Sequence, residues 1–467
     1  MPSFMFVITI VNYFLIAYVI FVQRRNTAAT WAWIVAMAFI PIGGFILYLI
    51  GGHDGRKQKV FMEKYRTDAL LHAAYREANM GADEGEVTHD NQITLYHDGK
   101  AKFDALLEDI ENAADYIFIQ YYIFRGDEIG RRLVRKLAER AMDGLDVRLL
   151  VDGTGCYFTP KDVYEPLINA RGRLGLFLPP FLTRINYRNH RKLAIIDGKV
   201  AYLGGSNIGK EYMSLSERFG FWRDSHMRLE GGVVNPLILR FIMDWNFSVK
   251  NKLDKLEVQP KYFRIFDEKK AEQPDPRDLP VLPIPGAKIE ILSSGPDTRD
   301  PHVLYAFCDM IMAAKKSIYI QTPYFVPDDA LFTCLRIAAL KGVDVRIMYP
   351  GKPDHPFVYW ASSSYMGELM CAGAKGYEYF NGFLHCKTLI IDSEYCAVGT
   401  ANMDVRSFKI NFETHAFITD EETALELEEA FIQDMANCTE LTFDEYERRP
   451  KTTKIKESIS RLFSPLL

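Results

Sequence analysis

Two short strings in this chain carry the side chains that phosphate chemistry needs. His190-Arg191-Lys192 and His385-Cys386-Lys387 each set an imidazole and an ammonium two residues apart. An aspartate (Asp197, Asp392) and an asparagine (Asn207, Asn402) follow at identical spacing in both copies. One His-x-Lys alone is an ordinary surface pair; two copies with matched downstream Gly and Asn read as one active site. A neutral imidazole can attack phosphorus while a second, protonated imidazole supplies a proton to the leaving oxygen. Lys192, Lys387, Asn207 and Asn402 can hold the non-bridging oxygens and supply the charge stabilisation that a metal supplies elsewhere. No carboxylate cluster or Cys/His set has metal-ligand spacing, so neither a metal nor another cofactor is expected. A nucleophilic imidazole benefits from a carboxylate on its other nitrogen. Asp224, 34 residues after His190, and Glu413, 28 after His385, are assigned that orienting role.

The elements that must position these groups are short strands. LAII, then Asp197-Gly198, then VAYLGG reads as a β-hairpin with a DG turn. His and Lys at i and i+2 share a strand face. Folding back at 197–198 sets Gly205 opposite His190, and the same count sets Thr400 opposite His385, so Thr400 joins the expected phosphate-binding groups. Asp197 and Asp392 have the opposite parity and lie about 23 Å away at roughly 3.3 Å per residue, so they read as turn residues.

The motif is the end of a longer repeat. YIFIQYYIF at 116–124 matches IYIQTPYFV at 318–326, and GLDVRLLVD at 144–152 matches GVDVRIMYP at 342–350. Apolar runs alternate with helix-length stretches in both blocks, predicting α/β lobes with mixed sheets flanked by helices. Two similar lobes packed about a pseudo-two-fold would bring both motifs to one cleft. The expected organisation is a two-segment membrane anchor (1–52), a juxtamembrane linker (53–92), lobe 1 (93–266), a Pro- and charge-rich linker (267–286), lobe 2 (287–443) and an amphipathic tail (444–467).

Residues 4–22 and 31–50 are apolar runs of about 20 residues, long enough to cross roughly 30 Å of hydrocarbon. The first lacks the basic start and cleavage site of a signal peptide, and a second run follows at once. Arg56, Lys57, Lys59, Lys64 and Arg66 after the second run outnumber Arg24 and Arg25 between the runs, which places the catalytic part in the cytoplasm. Pro41, Gly43 and Gly44 leave room for a kinked or re-entrant second segment. A net charge of −5 excludes a global nucleic-acid footprint. Seven scattered cysteines without CxxC spacing read as reduced thiols. Basic residues around LPPFL at 178–182 point to Phe181 and Leu182 as interface contacts, with LGLFL at 174–178 a buried strand. In the tail, Ile455, Ile459, Leu462, Phe463 and Leu466 form a helical stripe, with Lys451, Lys454, Lys456 and Arg461 available to the other side, an interfacial pattern.

The doubled HxKxxxxD string with its downstream Asn resembles the phospholipase D superfamily across about 350 residues, both blocks included. TPYFVPDD at 322–329, GTANMDVRSFKINFE at 399–413 and the two N-terminal runs resemble its bacterial cardiolipin synthase branch. That resemblance implies a bacterial cell-membrane enzyme that joins two phosphatidylglycerol molecules into cardiolipin and glycerol. It implies a covalent phosphatidyl-histidine, with His190 favoured as nucleophile and His385 as acid/base, and it includes Asp197 and Asp392 in the motif. A hydrolytic phospholipase D or another phosphatidyl transferase is the alternative. The chain departs from the usual G-S-x-N at Gly205, where no hydroxyl is available.

Overall fold

The computed structural model describes residues 2–23, 27–51, 59–179, 186–263 and 286–464. Among the described residues, seven strands build the first half: β1 (Val87–Asp98), β2 (Tyr116–Tyr121), β3 (Asp146–Asp152), β4 (Arg173–Phe177), β5 (Leu193–Ile196), β6 (Val200–Gly204) and β7 (Trp222–Glu230). The second half follows with β8 (Ala287–Ser294), β9 (Ser317–Gln321), β10 (Phe325–Val326), β11 (Asp344–Pro350), β12 (Lys375–Tyr379), β13 (Phe383–Leu384), β14 (Thr388–Ile391), β15 (Tyr395–Gly399), β16 (Met403–Asp404), β17 (Glu413–Thr419) and β18 (Cys438–Leu441). The sheet runs β4-β3-β2-β5-β6-β7-β1 in the first half, then β8-β17-β15-β14-β9-β11-β12-β18 in the second. Outward from the antiparallel β1–β8 seam, the second order repeats the first and adds β18. The chain is therefore an α/β protein with one lobe duplicated.

Helices cover both faces because their apolar residues recur at helical spacing. Glu128–Met142 buries Gly130, Leu133, Val134, Leu137, Ala138 and Ala141, a stripe at i, i+3, i+4, i+7. It starts where Asp127 accepts from Gly130 N. Leu133 and Leu137 share one core with Ile117 and Ile119 of β2, while Phe118 of the same strand faces Phe241 of helix Val234–Ser248.

Both motif hairpins form as the DG reading requires, with one correction. Asp197 and Gly198 take positive φ (53° and 64°), as do Asp392 and Ser393 (54° and 60°). Lys199 N closes the turn on Ile196 O, yet Ile196 pairs with Val200, so each loop holds one residue more than counted. Carried along the strands, that register sets Ser206 opposite His190 and Ala401 opposite His385, not Gly205 and Thr400.

The stretch before β1 is more than a linker. Helix Lys59–Glu77 packs Phe61 and Tyr75 into the core. Lys64 is fully buried, its Nζ 2.6 Å from Asp68, 2.8 Å from Asp297 and 3.2 Å from Asp244. Burial alone would lower its pKa, but the three carboxylates raise it. Its charged residues made this segment look like a solvated spacer and a topogenic cluster; Lys64 instead neutralises acids inside the protein. Residues 87–92 open β1.

The N-terminal reading is also corrected. Phe4–Val22 is one helix long and apolar enough to span a membrane. The second run is two shorter helices, Thr27–Phe39 and Pro41–Gly51. Pro41 has no N–H to give Met37 O, and Asn12 Nδ2 replaces it (3.1 Å), also bonding Pro41 O (2.9 Å). Asn12, the one polar interruption of the first run, thus satisfies the break in the second. Phe181, Leu182, Arg24, Arg25, Arg56, Lys57 and almost all of 267–286 lie outside the described residues. LGLFL falls on β4, beside β3, as GYEYF falls on β12, beside β11.

The tail forms helix Lys451–Leu462, packed on helix Pro356–Met370 by its polar side. Glu457 and Ser460 are buried, Glu457 accepting from Arg449 (2.7 Å) and Ser363 (3.2 Å), and Arg461 pairs with Glu368. Ile455, Ile459, Leu462 and Phe463 remain exposed.

Candidate active site

Each histidine is held by the other half. The backbone of residues 188–190 pairs with Phe412, just before β17: Phe412 N donates to Arg188 O (2.8 Å) and His190 N to Phe412 O (3.0 Å). Likewise β13 runs parallel to β7, and His385 N donates to Arg223 O (2.7 Å). These crossings put His190 Nδ1 2.9 Å from Glu413 Oε1, and His385 Nδ1 2.7 Å from Asp224 Oδ2. Glu413 and Asp224 each hydrogen-bond an imidazole, but on the half from which they were not counted.

The ring nitrogens are thereby assigned. A carboxylate only accepts, so Nδ1 carries the hydrogen and Nε2 keeps its lone pair. Burial works against ionised Glu413, but His190, Lys192 and Thr400 outweigh it and hold its pKa below the usual range. Asp224 is held low in the same way, mainly by His385 against burial. Burial pushes His190 down to about 4, Glu413 opposing, and His385 down to about 3, with Lys387 adding to the fall. Both imidazoles are therefore neutral at pH 7 before an anion enters.

Both line one cavity of about 740 Å³, together with Asn207, Asn402, Tyr122, Tyr212 and Trp222. The rings of Tyr122 and Trp222 pack on His190 and His385 at 4.9 and 5.0 Å. Lys192 and Lys387 are fully buried, each Nζ donating to the carbonyl of its own histidine at 2.5 Å. An ammonium has three donors, so two remain on each. Burial lowers Lys192 to about 7 and Lys387 to about 8. Asn207 Oδ1 accepts from Ile123 N, and Asn402 Nδ2 donates to Asp404.

The assignment of Thr400 changes. Thr400 gives its one hydroxyl hydrogen to Glu413 Oε2 at 2.5 Å, so it holds the acid rather than a phosphate. Gly205, its counterpart, leaves room for Asp224: a Cβ there would stand 2.0 Å from Asp224 Oδ1. Asp197 and Asp392 stay out of the cavity and take no part at the histidines. Asp197 accepts from the backbone N–H of Ala114, Asp115 and Tyr116, and Asp392 from those of Lys315, Lys316 and Ser317, fastening each hairpin to β2 or β9. Arg191, counted among the basic residues around LPPFL, is instead fully buried, and Tyr122 was not anticipated. Arg191 pairs with Asp244 (2.6 Å), which also binds Lys64, so the first motif strand is tied to helix Lys59–Glu77.

A duplicated α/β lobe whose two His-x-Lys strands meet in one cavity defines a phospholipase D-like protein. The family described as cardiolipin synthase, phospholipase D-like domain, matches residues 106–225 and 307–435, and the phospholipase D-nuclease N-terminal family matches 10–52. The cardiolipin synthase of Listeria welshimeri is 42% identical across 99% of this chain and 98% of its own. The major cardiolipin synthase of Bacillus subtilis is 41% identical across 98% of each. The chain belongs to the cardiolipin synthase family and is a phosphatidyltransferase. A crystal structure of phosphatidylserine synthase from Haemophilus influenzae has the same fold, at 15% identity and TM-score 0.60, over 85% of this chain and all of that one.

Proposed function

We propose that this protein moves a phosphatidyl group from one phosphatidylglycerol to another, with both histidines acting on the same phosphorus. The observation that carries this reading is the crossed pairing, in which each imidazole lines the shared cavity and hydrogen-bonds the other half's carboxylate. His190 Nε2 attacks phosphorus, and Lys192, Lys387, Asn207 and Asn402 hold the non-bridging oxygens. A new P–N bond forms, the P–O bond to glycerol breaks, and His385 gives the departing oxygen its proton. The negative phosphodiester raises the depressed pKa of His385, so that proton arrives with the substrate. The hydroxyl of a second phosphatidylglycerol then attacks. A P–O bond forms, the P–N bond breaks, and His385 takes the hydroxyl proton.

The acyl chains stay in a bilayer throughout. Helix Phe4–Val22 anchors the chain, Thr27–Gly51 folds against it as a bent re-entrant pair, and the catalytic lobes stand on the cytoplasmic face. The tail's arrangement, polar side docked and Ile455, Ile459 and Leu462 outward, supports contact with the lipid interface. Purified protein given phosphatidylglycerol vesicles without metal yields cardiolipin and equimolar glycerol. Phosphatidic acid as main product would overturn the transfer reading in favour of hydrolysis.

A further inference from the structure

Two guanidiniums of the same cavity have no task in that scheme. Arg188 precedes His190 by two residues, and Arg406 follows Asn402 by four, so they come from different halves. Arg406 Nη2 donates to Asn186 O (2.6 Å), which brings the short helix Val405–Lys409 against the segment carrying Arg188. Arg188 Nη1 is buried and has no hydrogen-bond partner. The cavity's remaining arginine, Arg125, is neutralised by Glu211 at 2.8 Å.

Tyr122 links this pair to the chemistry. Its ring packs on His190, and its hydroxyl feels both guanidiniums. Burial and then the charge of Arg188 lower the pKa of Arg406, so the two cations act on each other as well. Like charges gathered in a half-buried cavity wall, with a buried donor left over, are costly until an anion arrives. The arginine fork fits a phosphodiester oxygen pair.

We infer that Arg188 and Arg406 form a second phosphodiester subsite, one tyrosine ring away from His190, that binds the phosphate of the acceptor lipid. The inference rests on the phosphatidyl-transfer reading. In that reaction the attacking hydroxyl and the acceptor's own phosphate stand at opposite ends of a three-carbon glycerol. Seating the phosphate beyond Tyr122 directs the hydroxyl back to the phosphorus on His190. Water and free glycerol carry no phosphate and gain nothing from the subsite, so it selects lipid over small alcohols as acceptor. The arginines exchange no protons and make no covalent bonds.

The test uses the full-length protein, phosphatidylglycerol vesicles and isotope-labelled glycerol. One phosphatidyl-enzyme then gives two products: cardiolipin, whose acceptor bears a phosphate, and labelled phosphatidylglycerol, whose acceptor does not. Arg188→Gln lowers the ratio of cardiolipin to labelled phosphatidylglycerol at least about tenfold, as loss of one charge-assisted hydrogen bond implies. Arg188→Lys, which keeps the charge, recovers most of the ratio, and Arg406→Gln lowers it in the same sense. An unchanged ratio in Arg188→Gln, or both products falling in step, overturns the subsite. Wild-type protein that exchanges glycerol but makes no cardiolipin removes the transfer reading itself, and the acceptor subsite with it.

Discussion

Gly205 offers a test of how Asp224 controls His385. In Gly205→Ala the new methyl would stand 2.0 Å from Asp224 Oδ1, 2.8 Å from Cγ and 3.0 Å from Oδ2. Ordinary contact requires the carboxylate to withdraw by about 1 Å or more. Ser225 N (2.8 Å) and Trp222 Nε1 (3.3 Å) fix its other contacts, so the His385 bond at 2.7 Å is the one stretched beyond useful length. Loss of a tautomer-fixing carboxylate costs about 10²–10⁴ in turnover where an imidazole cycles as acid and base. Overpacking also costs about 1–3 kcal/mol, a few degrees of melting temperature in a chain of this size. Cardiolipin formation at 25 °C, in protein shown to be folded by its melt, reads the effect. Thr400→Ala is the paired control. It removes one bond to Glu413, which keeps His190 and Asn411, and turnover falls less than about tenfold. Folded Gly205→Ala with turnover within about threefold of wild type would refute the reasoning.

Other outcomes follow from the same geometry. Lys64→Met takes the buried cation from Asp297 and one of two from Asp68 and Asp244, costing about 3–5 kcal/mol and lowering the melting temperature by roughly 10 °C; a shift under about 2 °C contradicts the ion network. Lys192 and Lys387, lowered to about 7 and 8, are charged below those values and lose their protons above them. Because His385 takes its proton up with substrate, kcat/KM for phosphatidylglycerol already falls as pH rises, and loss of the lysine charges steepens that fall across pH 7–9; Lys192→Arg removes part of the steepening, and a slope unchanged from pH 6 to pH 10 excludes the lysines as phosphate holders. The imidazoles, already neutral, give no acid limb in kcat/KM above pH 5. Replacing Ile455, Ile459 and Leu462 with Asp slows synthesis on vesicles several-fold more than in detergent micelles, and equal loss in both media would deny the tail a lipid contact.

Much of this arrangement was legible in residue order. Matched spacing exposed the duplication, and the DG turn exposed the hairpins. The crossed acids were not legible, because distance along the chain says nothing about which half a strand pairs with: His190 reaches Glu413 across 223 residues. The one-residue register error came from counting a two-residue turn where Lys199 is extra. It misplaced Thr400, whose hydroxyl type was read as a phosphate ligand although its nearest acceptor is Glu413. Lys64 was misread because a buried lysine looks like a surface lysine until its three carboxylates, drawn from distant segments, are seen together. Pro41 signalled a break, but its compensation by Asn12 required the packing of two helices.

Mass spectrometry of protein quenched during turnover with phosphatidylglycerol addresses the shared phosphorus most directly. One phosphatidyl group per chain, attached to His190 and absent from His190→Ala, with no turnover in His385→Ala, is the predicted result. Two adducts per chain, or full turnover in either single-histidine variant, would mean that the halves work as separate sites.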